Sequence, residues 1–517
     1  MRRLGLVIVL LALAVMGFSQ HPRKAVKAYE SAYEAFLVRD YEKSLQQIHK
    51  ALVKDPNYAE AWLLQGEIGM EMGDDELAME GYEHSLRIDS TLFPPAKSIL
   101  DRLQKQKRFR EEAMSHPVEF NPVNLGDRVN TRDDEYVNAL VLTGTELLFT
   151  RRYAIEGIAY QQEGLFMAHA AEGQWFPASQ LLVHPEIDDK VGAAFLSYKG
   201  NELLFTVCGL DRHHPGCDLY AAIRKSDMSP WEEVYSLEVN DAAWDSQPSL
   251  SLDGNELFFA SRRNGNADLY HCFRDENGRW SEPENLGPVI NTKGTEMAPF
   301  IHPDGKTLYF SSDTHIGMGG YDLFVSRRNE EGEWSEPVNF GYPINTPGDE
   351  INFIVAADGH TALISSIREG GFGGYDIYSF QLKDDDMKPE PVNVYDILVD
   401  DLTPGAVVQL VNIRFAYNSA ELTEDSEEGI AMLAAFLESH PELHVELAGH
   451  TDNVGSDTYN LKLSNERAEV VRQALIAKGI AENRLTAKGY GSSKPMYPND
   501  NDEHRAGNRR TEMIVIF

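Results

Sequence analysis

One strand signal occurs five times along this chain, and its period limits the possible fold more than any other property. The copies read GTELLFT at 144, GNELLFT at 200, GNELFFA at 254, GKTLYFS at 305 and GHTALIS at 359, so their starts lie 56, 54, 51 and 54 residues apart. Each is followed by a second apolar strand: GLFMA at 164, DLYAA at 218, DLYHC at 268, DLFVS at 322 and DIYSF at 376. Four copies continue to a Trp (Trp175, Trp231, Trp280, Trp334), twice within WSEPxNxG. Short strands with Gly-bearing turns at this period are the signature of propeller blades. The fifth copy ends at Leu382 without its Trp-bearing strand, and the matching piece, FNPVNLG at 120–126, precedes the first copy. An N-terminal strand is therefore expected to complete the last blade and close the ring, which removes exposed edges. Residues 116–383 are expected to form an all-β propeller of five blades, or six if a degenerate blade is hidden.

Residues 21–115 change period. Tyr29, Ala32, Phe36 and Leu37, then Leu45, Ile48, Ala51 and Leu52, recur at helical spacing, and a second pair of segments breaks at Gly73-Asp74. Ala51 and Pro56, then Trp62, Gly66, Ala78 and Tyr82, resemble the signature positions of the tetratricopeptide repeat, with a partial third unit from Phe93 to about Ala113. An α-helical solenoid of this type implies a concave groove for a partner helix or peptide. A helical cap on the next domain is the alternative. Residues 384–404, acidic and Pro-bearing, read as a linker.

Arg2 and Arg3 followed by the apolar run Leu4–Met16 and Gly17-Phe18-Ser19 read as a signal peptide over 1–19. The run is shorter than the ~20 residues of a spanning helix. No Cys lies near the cut, so the expectation is an exported, soluble mature chain rather than a lipoprotein. The formal charge of −35 opposes nucleic-acid binding. Of three Cys, Cys208 and Cys217 flank GLDRHHPG; either a cross-hairpin disulfide, leaving Cys272 odd, or three reduced thiols fits. His213-His214 read as a solvated loop, not a metal site, and no zinc-ligand spacing occurs.

The C-terminal region carries the chemistry. Asp452 lies in a turn after the strand VELAGH, and Arg467 lies fifteen residues later within a predicted helix from Asp457 to Lys478. A fixed carboxylate and a guanidinium fork together match a small zwitterion bearing an ammonium and a carboxylate. An ion pair between Asp452 and Arg467 with no ligand is the alternative. The ordered motifs GHTDxxG, NxxLSxxRA, GYGxxxP and NRR over about residues 405–517 resemble the OmpA-like C-terminal domain, an α/β peptidoglycan-binding module. That resemblance implies that Asp452 and Arg467 grip the diaminopimelate of the stem peptide, with Thr451, Asn460 and Arg509 at the site. One departure stands out: the family often has an Asp after the first-strand Phe, where this chain has Ala416 after Phe415.

The middle repeats resemble the WD-type, TolB-like repeats of envelope proteins. GMGGYD at 317 and GGFGGYD at 370 lack a P-loop Lys, and their glycines read as positive-φ turn residues. The repeated Asp218, Asp268, Asp322 and Asp376 read as turn formers, with calcium ligation the minor alternative. No GxSxG elbow occurs. The whole chain is expected to be a non-enzymatic periplasmic anchor without cofactor or metal. Its partners are peptidoglycan and, through helices and propeller, envelope proteins at the cell wall and outer membrane. The order of parts resembles PorE-like components of the type IX secretion and gliding apparatus in Bacteroidetes, although the carboxypeptidase-regulatory-like module and lipobox Cys of those chains are missing. The competing expectation is a propeller-borne hydrolase targeted to the wall.

Overall fold

The computed structural model describes residues 21–155, 161–185, 187–188, 190–209, 216–225, 229–399, 403–416, 418–424 and 426–516; the segment 1–19 read above as a signal peptide and His213-His214 lie outside them. The chain divides into two compact units, one of residues up to Pro117 with Ile316–Met318, the other of Val118–His315 and Gly319–Phe517.

The first unit contains α1 (Arg23–Leu37), α2 (Tyr41–Lys54), α3 (Ala59–Met72), α4 (Asp75–Ile88) and α5 (Pro95–Ser115). Asp40 and Asp74 cap α2 and α4 by accepting from the amides of Lys43 and Leu77, and left-handed Gly73 ends α3. Helices α3 and α4 press together where side chains vanish. A Cβ on Gly69 would stand 2.4 Å from the Ala78 nitrogen, and one on Gly81 would stand 2.3 Å from that of Gly66. The Tyr82 ring then fills the notch over Gly66 and is buried.

The second unit begins with β1 (Val123–Asn124) and holds five antiparallel sheets in chain order. The first comprises β2 (Asp134–Leu140), β3 (Glu146–Ala154), β4 (Gln161–Ala171), β5 (Gln174–Trp175) and β6 (Ser179–Gln180). The second comprises β7 (Val191–Leu196), β8 (Glu202–Cys208), β9 (Cys217–Ile223) and β10 (Glu232–Ser236). The third is β11 (Asp245–Leu250), β12 (Glu256–Ser261), β13 (Asp268–Phe273) and β14 (Glu284–Asn285). The fourth is β15 (Glu296–Ile301), β16 (Thr307–Ser312), β17 (Asp322–Arg327) and β18 (Val338–Asn339). The fifth joins β19 (Ile351–Val355), β20 (Thr361–Ser366) and β21 (Asp376–Gln381) to β1, with Val123 opposite Ser379. Cys208 and Cys217 form a disulfide across the β8–β9 hairpin, and Cys272 is a buried free thiol that burial pushes up to about 12.

The repeated residues explain themselves in this frame. Asn240, Asn291, Asn345 and Asn130 each hold both the N–H and C=O of one third-strand residue, namely Leu219, Leu269, Leu323 and Ile377, at 2.7–2.9 Å. Each side-chain amide thereby satisfies the buried N–H of its residue and shares the carbonyl with a backbone N–H of the following segment. The glutamate of the first three copies links neighbouring sheets. Glu202 receives Arg274 and Glu256 receives Arg328 bidentately, while Glu146 lies 4.0 Å from Arg224. Those arginines lie over Trp280, Trp334 and Trp231, giving the repeated Trp its role. Further hydrogen bonds join Thr206 to Gln247, Gln247 to Ala298, His302 to Ala356 and Asn352 to Val137, so the fifth sheet bonds to the first.

Two readings from sequence change here. The glycines of GMGGYD and GGFGGYD serve mainly close approach, not positive φ; only Gly370 among the described ones is left-handed. A Cβ on Gly319 would stand 2.2 Å from Pro347 O, and one on Gly373 would stand 2.4 Å from Asp133 O. Residues 384–399 are packed, not free. Tyr309 donates to Met387 O, Arg327 to Lys388 O, and Tyr395 is fully buried beside Phe436.

After the short helix α6 (Tyr395–Leu398), the C-terminal lobe contains β22 (Val407–Gln409), α7 (Ser426–Ser439), β23 (Val445–His450), α8 (Asp457–Ala477), β24 (Leu485–Gly491), α9 (Asp502–Asn508) and β25 (Thr511–Val515). Its sheet runs β22-β25-β23-β24, with only β23 and β24 parallel. The molecule is therefore multidomain: N-terminal helices, many antiparallel sheets and a C-terminal α/β lobe. No helix among the described residues is long and apolar enough to cross a membrane.

Candidate functional site in the C-terminal lobe

Strand β23 is buried on both sides and delivers Thr451 and Asp452 at its C-terminal end. Helix α8 starts at Ser456, whose hydroxyl accepts from Tyr459 N, and lies unusually close to the sheet. A Cβ on Gly449 would stand 2.2 Å from Ser464 O, and one on Gly489 would stand 2.3 Å from Asn465 N. Glycine at both positions lets the helix settle and places Asn460, Ser464 and Arg467 on its buried face. Asn508, wholly buried, accepts from the amides of Met496 and Tyr497 and donates to Tyr497 O. That clamp fixes the segment from which Arg509 projects.

All five residues singled out from the sequence meet here. Asp452 accepts from Val454 N through Oδ1 at 2.9 Å and from Arg509 Nη1 through Oδ2 at 2.6 Å. Thr451 Oγ1 and Asn460 Nδ2 both donate to the Asp452 carbonyl, at 3.0 and 3.2 Å, and so set the turn. Arg467 is only 7% exposed. Its Nε donates to Ser419 O at 2.9 Å, and its guanidinium lies 4.9 Å from the Phe415 ring centroid. Burial lowers the Arg467 pKa, and the nearby Glu172 and Asp452 carboxylates oppose that shift. The Asp452–Arg467 ion pair weighed from the sequence does not form; the partner of Asp452 is Arg509. The reason is placement: Arg467 is drawn back onto Phe415 and Ser419, while Arg509 enters from the α9–β25 junction.

Sequence reasoning missed three participants. Ser419 and Phe415 hold Arg467, and Glu172 from the first sheet takes the other edge of Arg509, with Nε–Oε1 and Nη2–Oε2 both 2.7 Å. Nothing local to Glu172 announces this, because its partner lies 337 positions away. Ala416, at the position of the departure noted above, brings no polar side chain, and two residues on Asn418 accepts from Tyr459 OH at 2.8 Å. Hydrogen bonds donated to Glu172 and Asp452 hold the Arg509 pKa well above its ordinary value, against the effect of burial.

The repeated Asp residues stand at the starts of the third strands, where Asp322 and Asp376 accept from amides of the preceding turn. Asp268 accepts from Asn285, and Asp376 accepts from Asn124 and Phe372 N. Among the described residues, one grouping could hold a metal ion: Asp358, His360 and Glu428. There His360 Nε2 and Glu428 Oε1 lie 2.9 Å apart, tying the fifth sheet to α7.

Residues 414–509 match the OmpA family model. Outer membrane porin F of Pseudomonas fluorescens is 41% identical over 105 residues, 20% of this chain and 32% of that protein. Peptidoglycan-binding protein ArfA of Mycobacterium tuberculosis is 37% identical over 103 residues, again 20% of this chain and 32% of that protein. The putative lipoprotein YfiB of Escherichia coli is 39% identical over 104 residues, 20% of this chain and 65% of that protein. Among solved structures, the peptidoglycan-associated lipoprotein of Burkholderia pseudomallei is 27% identical over 24% of this chain and 99% of that chain, with a TM-score of 0.20. The chain spans a third or less of the length of the first curated relatives it matches. It is the C-terminal lobe, not the whole chain, that these comparisons identify as an OmpA-like domain.

Proposed function

We propose that this protein is a non-enzymatic peptidoglycan anchor and protein scaffold of the Gram-negative envelope, working in the periplasm at the cell wall and outer membrane. The observation that carries this reading is the convergence of Asp452, Arg467 and Arg509 within a lobe matching the OmpA family. A relative of that lobe bears the name peptidoglycan-binding protein, which supports the same ligand. Asp452 receives the ammonium of a diaminopimelate stem peptide, the guanidiniums of Arg467 and Arg509 receive its carboxylate, and Thr451 and Asn460 hold the Asp452 turn in place.

The remaining parts fit a scaffold. The five sheets are the blades of a five-bladed propeller, a reading supported by hydrogen bonds that join the second sheet to the third, the third to the fourth, the fourth to the fifth and the fifth to the first. The close α3–α4 packing at Gly66, Gly69, Ala78 and Gly81 supports tetratricopeptide-type pairing, with envelope proteins as the partners of helices and propeller. The order of the parts favours a place in a secretion or gliding complex of type IX. A cavity of only about 20 Å³, room for about one water, is lined by the amides of Asn138, Gln247 and Asn352 and by apolar residues such as Phe300 and Phe353, which favours contact over hydrolysis.

The test is sedimentation of the full chain with purified sacculi. Asp452→Ala and Arg467→Ala are each expected to weaken binding about 10- to 150-fold, the equivalent of ~1.5–3 kcal/mol for a charge-assisted hydrogen bond. Unchanged pull-down by both variants refutes the assignment. Release of soluble fragments from the same sacculi would instead establish the hydrolase.

A further inference from the structure

The arginine cluster of the C-terminal lobe already holds a carboxylate supplied by the first sheet. Strands β4 and β5 pair Ala171 with Gln174, so Glu172 and Gly173 are the two turn residues of a tight hairpin. Both have positive φ, 52° and 78°, the pattern of a type I′ turn, which favours Asn, Asp or Gly at its first central position. A glutamate is sterically disfavoured there, yet its side chain is the one that reaches the site. Its two oxygens take the Nε and Nη2 of Arg509 side by side at 2.7 Å, the bidentate geometry an arginine offers any carboxylate. Nη1 of the same guanidinium binds Asp452. Behind the turn, a Cβ on Gly173 would stand 3.1 Å from Arg414 Nη1, and the φ of 78° favours glycine in the second position. Among the charges acting on buried Arg467, that of Glu172 is the strongest.

We propose that Glu172 is an internal ligand of this site: a carboxylate plug that competes with the carboxylate of the peptidoglycan stem peptide, so that wall binding and docking of the β4–β5 hairpin are alternative states. The inference rests on the peptidoglycan reading given above. The tether keeps the plug at high local concentration, and apparent affinity for the wall falls by the fraction of molecules in the undocked state. Glu172 is about half exposed, so the plug is weak enough for the wall to displace. The protein would thus report wall contact by letting its first sheet go.

The full chain, Glu172→Gln and Glu172→Gly are to be titrated with purified sacculi, with hydrogen exchange of residues 170–175 followed in parallel on addition of meso-diaminopimelate. The glycine variant removes the carboxylate and favours the turn, so loss of folding does not confuse the result. Both variants are expected to bind roughly 3- to 30-fold tighter than the parent chain, and exchange at the hairpin of the parent is expected to rise with ligand. Binding equal to the parent in both variants, with exchange unchanged, overturns the plug and leaves the peptidoglycan reading intact. No binding by the parent or either variant overturns both.

Discussion

Arg509 and Arg510 stand side by side before β25, and each holds a carboxylate at 2.7 Å or less, but in different surroundings. The Arg510 side chain is 6% exposed and donates to Glu512, itself 9% exposed, whose other oxygen lies 3.1 Å from His450 Nε2. Arg509 is 28% exposed and divides its guanidinium between Asp452 and the half-exposed Glu172. One arginine ties β25 to β23 inside the lobe; the other faces outward with an exchangeable partner. The contrast teaches that the doubled arginine of NRR is a lock and a hand, separated only by which way the chain turns at Asn508.

The largest expected consequence is in stability. Arg510→Ala leaves Glu512 buried without its cation and should cost ~3–5 kcal/mol, whereas Arg509→Ala should change stability by less than about 1 kcal/mol. Urea unfolding of both variants measures this, and equal losses would erase the distinction. Next in size is the response to acid. Burial pushes the Glu512 carboxyl up, but the His450 hydrogen bond and the Arg510 charge outweigh it and hold it below its ordinary range. A carboxyl depressed in the folded state adds stability above the ordinary glutamate pKa and loses it as pH falls through the folded one. The urea midpoint should therefore drop below about pH 4.3, and Glu512→Gln should flatten that limb. A slope identical in variant and parent would remove Glu512 from the account. The smallest effect is that of salt. Raising ionic strength from about 0.05 to 0.5 M should loosen the Glu172–Arg509 contact, speeding hydrogen exchange at residues 170–175, while β25 amides beside Arg510 stay unchanged.

Much of this was legible in advance because it is periodic or local. The five-copy signal marks the second strands, and FNPVNLG marks a segment that does lie along the fifth sheet at β1. The motif set brings Asp452, Thr451, Asn460, Arg467 and Arg509 to one place because Thr451, Asp452 and Arg509 sit at the ends of elements, while Asn460 and Arg467 share the buried face of α8. What stayed hidden depends on remote geometry. Glu172 looks like any turn residue until the lobe carrying Arg509 docks beside it. The glycines at 319, 320, 373 and 374 fit a turn as well as a close approach, and only the neighbouring backbone separates the two. Residues 384–399 resemble a linker in composition, but Met387, Val394, Tyr395 and Val399 are buried, and four scattered apolar residues are a weak signal. Arg510 could not be told from Arg509 without knowing which side of β25 is covered.

The pairing of β1 with β21 has a kinetic corollary. Asn124 meets Asp376 across 252 positions, so the fifth sheet stays one strand short until the chain has emerged through β21 and collapsed. Closing a loop of that length carries an entropic penalty of about 5 kcal/mol beyond the constant term. During folding the exposed margin of β21 would be the place where chaperones or proteases compete with completion.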